Sequence, residues 1–157
     1  MDYSFTIKKA EERDASAIRE IMKDAFGKYS KDAQIETGLE ALDESLEDIR
    51  GDIKNKHVFI ARIDDIPAGS VRIAADGDIA WLTRFGVKEG MRNMGVGNAL
   101  VSLAEKYMIQ SGVKRVFLHT ASKYADLVRY YYGRGFYIVS TDEKRGYIRA
   151  LMQKDLA

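Results

Sequence analysis

The sequence GMRNMGVGNAL, residues 90–100, places an arginine, two glycines and an apolar helical pattern in succession. Gly95 and Gly97 lack Cβ atoms, so a ligand can approach the main chain closely. They stand where a predicted strand gives way to a helix, whose first amides have no partner within the helix and whose dipole adds about half a positive charge. Arg92 adds a permanent charge and a fork of donors. The stretch therefore predicts a cradle for a diphosphate.

Two other interpretations of this stretch stay open. A plain strand-to-helix turn, in which glycine relieves crowding, accounts for the same residues. A nucleotide-binding protein is the second alternative, although the dinucleotide fingerprint needs a third glycine and a later acidic residue. The P-loop needs a lysine followed by Ser or Thr, and neither follows Gly97.

Composition narrows the class of protein. The chain has 157 residues, 46% apolar and 31% charged, which predicts a single globular domain over residues 1–157. Its net charge of +1 gives no sign of a nucleic acid or a membrane as partner. The absence of cysteine excludes a disulfide framework, cysteine-ligated zinc and a cysteine nucleophile. With no apolar run of signal-peptide or membrane-span length, we expect a soluble, cytoplasmic protein.

The apolar periodicity predicts an α+β fold. A strand, Phe5–Lys8, is followed by two helices, the second carrying its apolar stripe from Leu39 to Ile53. Three strands with short turns then predict an antiparallel meander. After the helix that begins near Val96, a strand at residues 115–120 should lie parallel to the preceding strand if the two are neighbours. A short helix and two antiparallel strands complete a mixed, mostly antiparallel sheet of about seven strands flanked by four helices.

Two motifs then resemble one family. VKEGMRNMGVGNAL, residues 87–100, resembles the signature of the GNAT acetyltransferase superfamily, with Arg92, Gly95 and Gly97 at its defining positions. YYYGRGF, residues 130–136, resembles the family's aromatic-Tyr-x-x-x-Gly-Phe segment, and FTIKKAEERDASAIREIMKDAF resembles its opening strand and helix. In element order the resemblance covers about residues 5–154.

The resemblance implies the acyl-CoA N-acyltransferase fold, with acetyl-CoA as acyl donor and no metal. In the family, acetyl-CoA lies where the fourth and fifth strands separate, its pyrophosphate on the glycine loop and its pantetheine arm along the fourth strand. Gly86 suits the bulge that the family places in that strand. The residues expected to bind the cofactor are Phe85, Gly86, Val87, Arg92, Asn93, Met94, Gly95, Val96, Gly97 and Asn98.

The resemblance also assigns the catalytic acid. A tyrosine often protonates the departing thiolate in the family, and the register of Gly135 and Phe136 selects Tyr131; a core tyrosine is the structural alternative. Many relatives carry an asparagine where Tyr124 stands, and a carboxylate base on the fourth strand. IAWLTRFGV, residues 79–87, has no carboxylate, and its Arg84 is expected either to meet an acidic part of the acceptor or to be solvated.

Other polar residues are ambiguous in the sequence. His119 is expected to be a structural group or a proton relay, and His57 to be uninvolved. The acidic faces of the second helix, from Glu40 to Asp48, either attract a cationic amine or are solvated, and we expect the second. For the general base we expect a water chain, with Glu36 or Glu40, or an acceptor of low pKa, as alternatives.

The sequence predicts an N-acetyltransferase acting on an amine-bearing small molecule, peptide or protein. A non-catalytic sensor of acetyl-CoA and a transferase of another acyl group are the alternatives. The identity of the acceptor and the oligomeric state, a homodimer included, are open.

Overall fold

A computed structural model describes residues 5–35 and 39–156. The strands in these residues form one seven-stranded sheet. The strands are β1 (Phe5–Lys9), β2 (His57–Ile63), β3 (Ile66–Asp76), β4 (Ile79–Val87), β5 (Arg115–Ala121), β6 (Tyr137–Asp142) and β7 (Arg149–Asp155). The helices are α1 (Ala15–Asp32), α2 (Glu40–Asp43), α3 (Leu46–Asn55), α4 (Val96–Gln110) and α5 (Ala125–Gly133). The α+β fold class is confirmed, with five helices in the described chain where the periodicity predicted four.

The additional helix arises because the predicted second helix is broken. The chain leaves helical geometry at Glu44, whose ψ is 132°. Ser45 then caps α3: its hydroxyl accepts from the Asp48 amide at 3.1 Å, and the Asp48 carboxylate accepts from the Ser45 amide at 2.9 Å. This capping box satisfies two donors that the helix itself cannot. The prediction of one continuous helix from Leu39 to Ile53 was therefore wrong.

The strand pairing follows the predicted topology. The sheet order is β1-β2-β3-β4-β5-β7-β6, in which β1 to β4 form an antiparallel meander. Joined to β4 through α4, β5 pairs parallel to it, and β7 pairs antiparallel to both β5 and β6. The crossover through α4 therefore places the predicted cradle beside the end of β4.

Alternate residues of the sheet face two different layers. On β2, Val58 and Ile60 pack in the cluster that contains Ile18 and Ile21 of α1, whereas Phe59 lies in the cluster that contains α4. This period-two alternation is that of a strand covered on both faces. None of the helices in residues 5–35 and 39–156 is long and apolar enough to cross a membrane.

Candidate active site

A cleft opens where β4 and β5 part. The two strands pair at three positions only, ending with Trp81 opposite Phe117. Beyond that point, residues 82–87 of β4 line a cavity of about 620 Å³. Its walls come from α1, α2, the loop before α4, α5 and the segment between β6 and β7. The separation of the fourth and fifth strands, expected from the family resemblance, is confirmed.

The free part of β4 contains a bulge. Ser70 of β3 stands opposite Gly86, and Arg72 stands opposite Thr83, so Val71 alone faces Arg84 and Phe85 together. Arg84 has a φ of 51°, in the left-handed region that non-glycine residues rarely adopt. The bulge thus precedes Gly86, and its extra residue directs the Arg84 side chain into the cleft, which it lines.

The placement of the bulge at Gly86 was therefore wrong, and packing explains the glycine. A Cβ added at Gly86 would lie 2.8 Å from Ala25 Cβ and 3.3 Å from Met22 Cε, both on α1. No side chain fits at that separation without moving the helix. Gly86 lines the cleft as predicted, but its lack of a side chain is required by the close approach of α1 to β4.

The glycine–arginine loop has the backbone geometry of an anion cradle. Asn93 and Gly95 both have positive φ, 67° and 84°, and Gly95 is the N-cap of α4. Among the described residues, the amides of residues 93–98 find no hydrogen-bond acceptor. These donors and the start of α4 point their partial positive charge at the cleft wall, where Arg92 also lies. The structure thus brings the predicted cofactor residues to one cleft, apart from Met94, which is exposed and does not line it.

The end of β4 and the start of α4 form a narrow slot. A Cβ at Gly97 would lie 3.3 Å from Phe85 Cζ and 3.6 Å from Val87 Cγ2. The glycine therefore keeps open the space between α4 and the free edge of β4.

Tyr131 lies in the wall of the same cleft. Its ring is buried and packs against Phe85, Tyr130 and Phe136, with centroid distances of 6.4, 5.5 and 5.5 Å. Its hydroxyl has no hydrogen-bond partner in the described chain. Burial raises the pKa of Tyr131 far above its ordinary value, so the hydroxyl stays protonated at neutral pH. The residue is both a core aromatic and a proton donor without a competing acceptor.

The other tyrosine hydroxyls near it are occupied. Tyr130 donates to Asn98 Oδ1 at 2.9 Å, and Tyr124 donates to Asp32 at 3.0 Å. The buried hydroxyl of Tyr29 accepts from the Ala121 amide. Among these four tyrosines, Tyr131 alone has a hydroxyl with no partner in the described residues.

Behind the opposite end of the cleft lies a group of paired charges centred on Arg72, a residue that sequence reasoning missed. Arg72 of β3, fully buried, binds Glu44 through two bonds of 2.7 and 2.9 Å and Asp52 through one of 2.7 Å. The Glu44 side chain is only 10% exposed, so the expectation of a solvated acidic face was wrong there. Glu40 pairs with Arg145, from the segment between β6 and β7, at 2.7 Å. The sequence did not single out Arg72, because an arginine in the strand SVRIA is expected to lie on the exposed face of that strand.

The fold places the two histidines, which the sequence left ambiguous, at different distances from the cleft. His119 lines the cleft and stacks on Trp81 with a centroid distance of 5.2 Å. His57 lies outside the cleft lining, where its ring nitrogen and the Tyr107 hydroxyl are 2.9 Å apart. Glu36 lies outside the described residues. Across residues 5–35 and 39–156, no three His, Asp or Glu side chains are grouped as a metal would require.

The sequence also matches a known protein family. The model of the acetyltransferase (GNAT) family matches residues 15–136. The chain belongs to this family, and it is an acetyltransferase. No curated protein sequence matches it.

Solved structures have the same fold. PaiA N-acetyltransferase from Thermoplasma acidophilum, in complex with coenzyme A, is similar at a TM-score of 0.85 and 21% identity, over 97% of this chain and 99% of that one. Ribosomal-protein-S18-alanine N-acetyltransferase from Escherichia coli has a TM-score of 0.80 and 17% identity, over 98% and 95%. YncA from Salmonella typhimurium, with its cofactor acetyl-CoA, has a TM-score of 0.76 and 16% identity, over 98% and 95%.

Proposed function

We propose that this protein moves the acetyl group of acetyl-CoA directly to a primary amine, within a ternary complex of both substrates. The observation that carries the proposal is the convergence of the free edge of β4 and the open amides before α4 on one cleft. Similar proteins hold coenzyme A or acetyl-CoA, which supports the same donor here. The chain has no cysteine to form a thioester with the enzyme, which favours direct transfer.

The cleft suits an extended donor. The diphosphate accepts hydrogen bonds from the amides of residues 93–98 and pairs with Arg92. The pantetheine arm lies along β4 and bonds the main chain of Phe85 and Val87, which β5 leaves free on that side. This path brings the thioester to the bulge, next to Tyr131.

The reaction balances with groups that the chain supplies. The neutral amine attacks the thioester carbon, and a main-chain amide near the bulge donates to the developing oxyanion. The C–S bond breaks, and the thiolate takes a proton from the Tyr131 hydroxyl. The nitrogen loses its proton to water, and Tyr131 regains one from solvent. The products are the N-acetyl amide and free coenzyme A.

A water chain removes the proton of the amine. Of the described residues, the carboxylates that line the cleft are Glu40 and Asp52. Glu40 pairs with Arg145 at 2.7 Å, and Asp52 pairs with Arg72 at 2.7 Å and with Lys56 at 3.2 Å. Neither is free to act as a dedicated base. An amine such as lysine, with a pKa near 10.4, has only about one molecule in 2,500 neutral at pH 7.

Two measurements test the proposal. Acetyl-CoA should raise the melting temperature, and coenzyme A should be released from it in the presence of a primary amine. Without a dedicated base, kcat/KM should rise with pH from about 6 to 10 toward the pKa of the acceptor itself. Glu40→Gln and Glu36→Gln should keep that profile. A plateau at a much lower pH that disappears in one of these variants would identify a base instead.

A further inference from the structure

Arg84 has a strained backbone in the part of the cleft away from the cradle. Its φ of 51° is costly for an L-residue with a long side chain, and glycine would relieve it. Such strain is retained where it positions a functional group. The side chain is 23% exposed and lines the cleft. The fold therefore keeps a charged side chain at this position despite the cost.

The guanidinium of Arg84 makes two long ion pairs in the described chain, and none of its nitrogens has a hydrogen-bonded partner there. Its Nε is buried without a hydrogen bond. The nearest carboxylates are Glu44, at 3.4 Å from Nε, and Glu40, at 3.8 Å from an Nη. Both are held more closely by others, Glu44 by Arg72 at 2.7 Å and Glu40 by Arg145 at 2.7 Å. An arginine whose hydrogen-bond donors lack close acceptors is suited to bind a carboxylate of a ligand through two bonds.

The charged side chains around Arg84 carry a net positive charge. The described cluster contains three carboxylates, Glu40, Glu44 and Asp52, and four cations, Lys56, Arg72, Arg84 and Arg145, which leaves a net charge of +1. Arg149, next to them in the cleft lining, is matched by Asp142 at 2.9 Å. This surface repels a polycation and attracts an anion.

Resting on the proposed function, we propose that the acceptor is an amine that also carries a carboxylate, and that Arg84 binds this carboxylate. Arg84 is next to Phe85 in the bulge, where the thioester is expected, so the amine and the carboxylate of the acceptor are a short chain apart. The substrate class is therefore a small amino acid rather than a simple amine or a polyamine.

The test uses three acceptors of similar length and amine basicity: 5-aminopentanoate, pentylamine and cadaverine. Release of coenzyme A gives kcat/KM for each. A charge-assisted pair should favour 5-aminopentanoate over pentylamine by about 10- to 100-fold, with cadaverine the poorest. A ratio near one, or a preference for cadaverine, overturns the proposal.

Arg84→Gln should bring the ratio of 5-aminopentanoate to pentylamine close to one, and Arg84→Lys should restore part of it. The control is Arg129→Gln, because Arg129 is 78% exposed and outside the cleft lining; it should keep the wild-type ratio. A ratio that Arg84→Gln leaves unchanged assigns the preference to another residue and overturns the proposal.

Binding distinguishes this inference from the proposed function. Ligand-observed NMR on protein saturated with coenzyme A should detect 5-aminopentanoate but not pentylamine, even if no acceptor is acetylated. Turnover without a preference for the carboxylate refutes the inference alone. Failure to bind acetyl-CoA refutes the proposed function, whereas the NMR comparison, repeated without coenzyme A, still decides on the carboxylate site.

Discussion

The two ends of the cleft are formed by different kinds of chemical group. The end proposed to bind the donor consists mainly of main-chain groups: the amides of residues 93–98 and the free edge of β4 after Trp81. The end proposed to bind the acceptor is lined by charged side chains from α2, α3, β4 and the segment between β6 and β7, such as Glu40, Asp52 and Arg145. Behind them, the buried Arg72 of β3 pairs with Asp52. One end is therefore set by backbone conformation and the other by side-chain pairing between distant segments.

The difference explains which end a sequence can reveal. A main-chain cradle needs a left-handed residue at Gly95 and an empty slot at Gly97, so glycines must stand at a fixed spacing. Side chains that meet from several elements need no fixed spacing. The spacing of residues in the sequence therefore predicts the main-chain end of the cleft but not the side-chain end.

The largest effect is expected at Tyr131, where the two ends meet. Tyr131→Phe removes only the hydroxyl and keeps the ring contacts with Phe85 and Phe136. Loss of a general acid should lower kcat by about 10²- to 10⁴-fold and leave the affinity for acetyl-CoA unchanged. Steady-state kinetics measures both.

The matched control for that variant is Tyr132→Phe, on the same helix but half exposed and outside the cleft lining. It should turn over at the wild-type rate. If Tyr131→Phe does so as well, Tyr131 is a core residue only, and Tyr124 becomes the next candidate.

The next effect concerns the support of the acceptor end. Arg72→Met leaves Glu44 and Asp52 without their buried partner, which should lower the free energy of unfolding by about 3–5 kcal/mol in a urea titration. Arg50→Met removes an exposed pair with Glu47 and should cost less than about 1 kcal/mol. Equal, small losses for both variants would mean that the Arg72 cluster contributes no more than a surface pair.

A somewhat smaller effect is expected at the donor end. Acetyl-CoA at 100 times its Kd should stabilise the protein by about 2.7 kcal/mol. Gly97→Val fills the slot beside Phe85 and Val87, and should abolish that stabilisation in thermal denaturation. Gly90→Val is the control, because a Cβ there meets nothing within 4 Å among the described residues. Normal binding by Gly97→Val would place the donor elsewhere.

The smallest effect separates packing from binding at Gly86. Gly86→Ala brings a methyl group to 2.8 Å from Ala25 Cβ and should destabilise the fold by about 1–3 kcal/mol. Gly51→Ala, in α3 with open space around it in the described chain, should instead stabilise by up to about 1 kcal/mol. Urea unfolding of both variants measures the contrast, and the packing argument fails if Gly86→Ala is as stable as wild type.

The order of elements could be predicted from apolar periodicity and short turns, whereas the cleft between β4 and β5 was expected only from the family resemblance. The break at Glu44 was missed although Ser45 and Asp48 form a capping box, because the stripe of leucines and isoleucines continues across it. The bulge at Arg84 was misplaced by one to two residues, since the neighbouring glycine is the residue usually associated with such geometry. The Arg72 cluster could not be predicted, because its members are far apart in the chain and meet only in the folded protein.

The separation of β4 and β5 also has a mechanical consequence. The sheet has two parts, β1 to β4 and β5 to β7, and the seam between them is the pairing of β4 with β5 at three positions. For comparison, β3 and β4 pair at seven positions. Stiffness across a sheet comes from its ladder of hydrogen bonds, so this seam is the most compliant line in it. A molecule bound between β4 and β5 would connect the two parts of the sheet. The fold thus places its most deformable junction where the two substrates are proposed to meet.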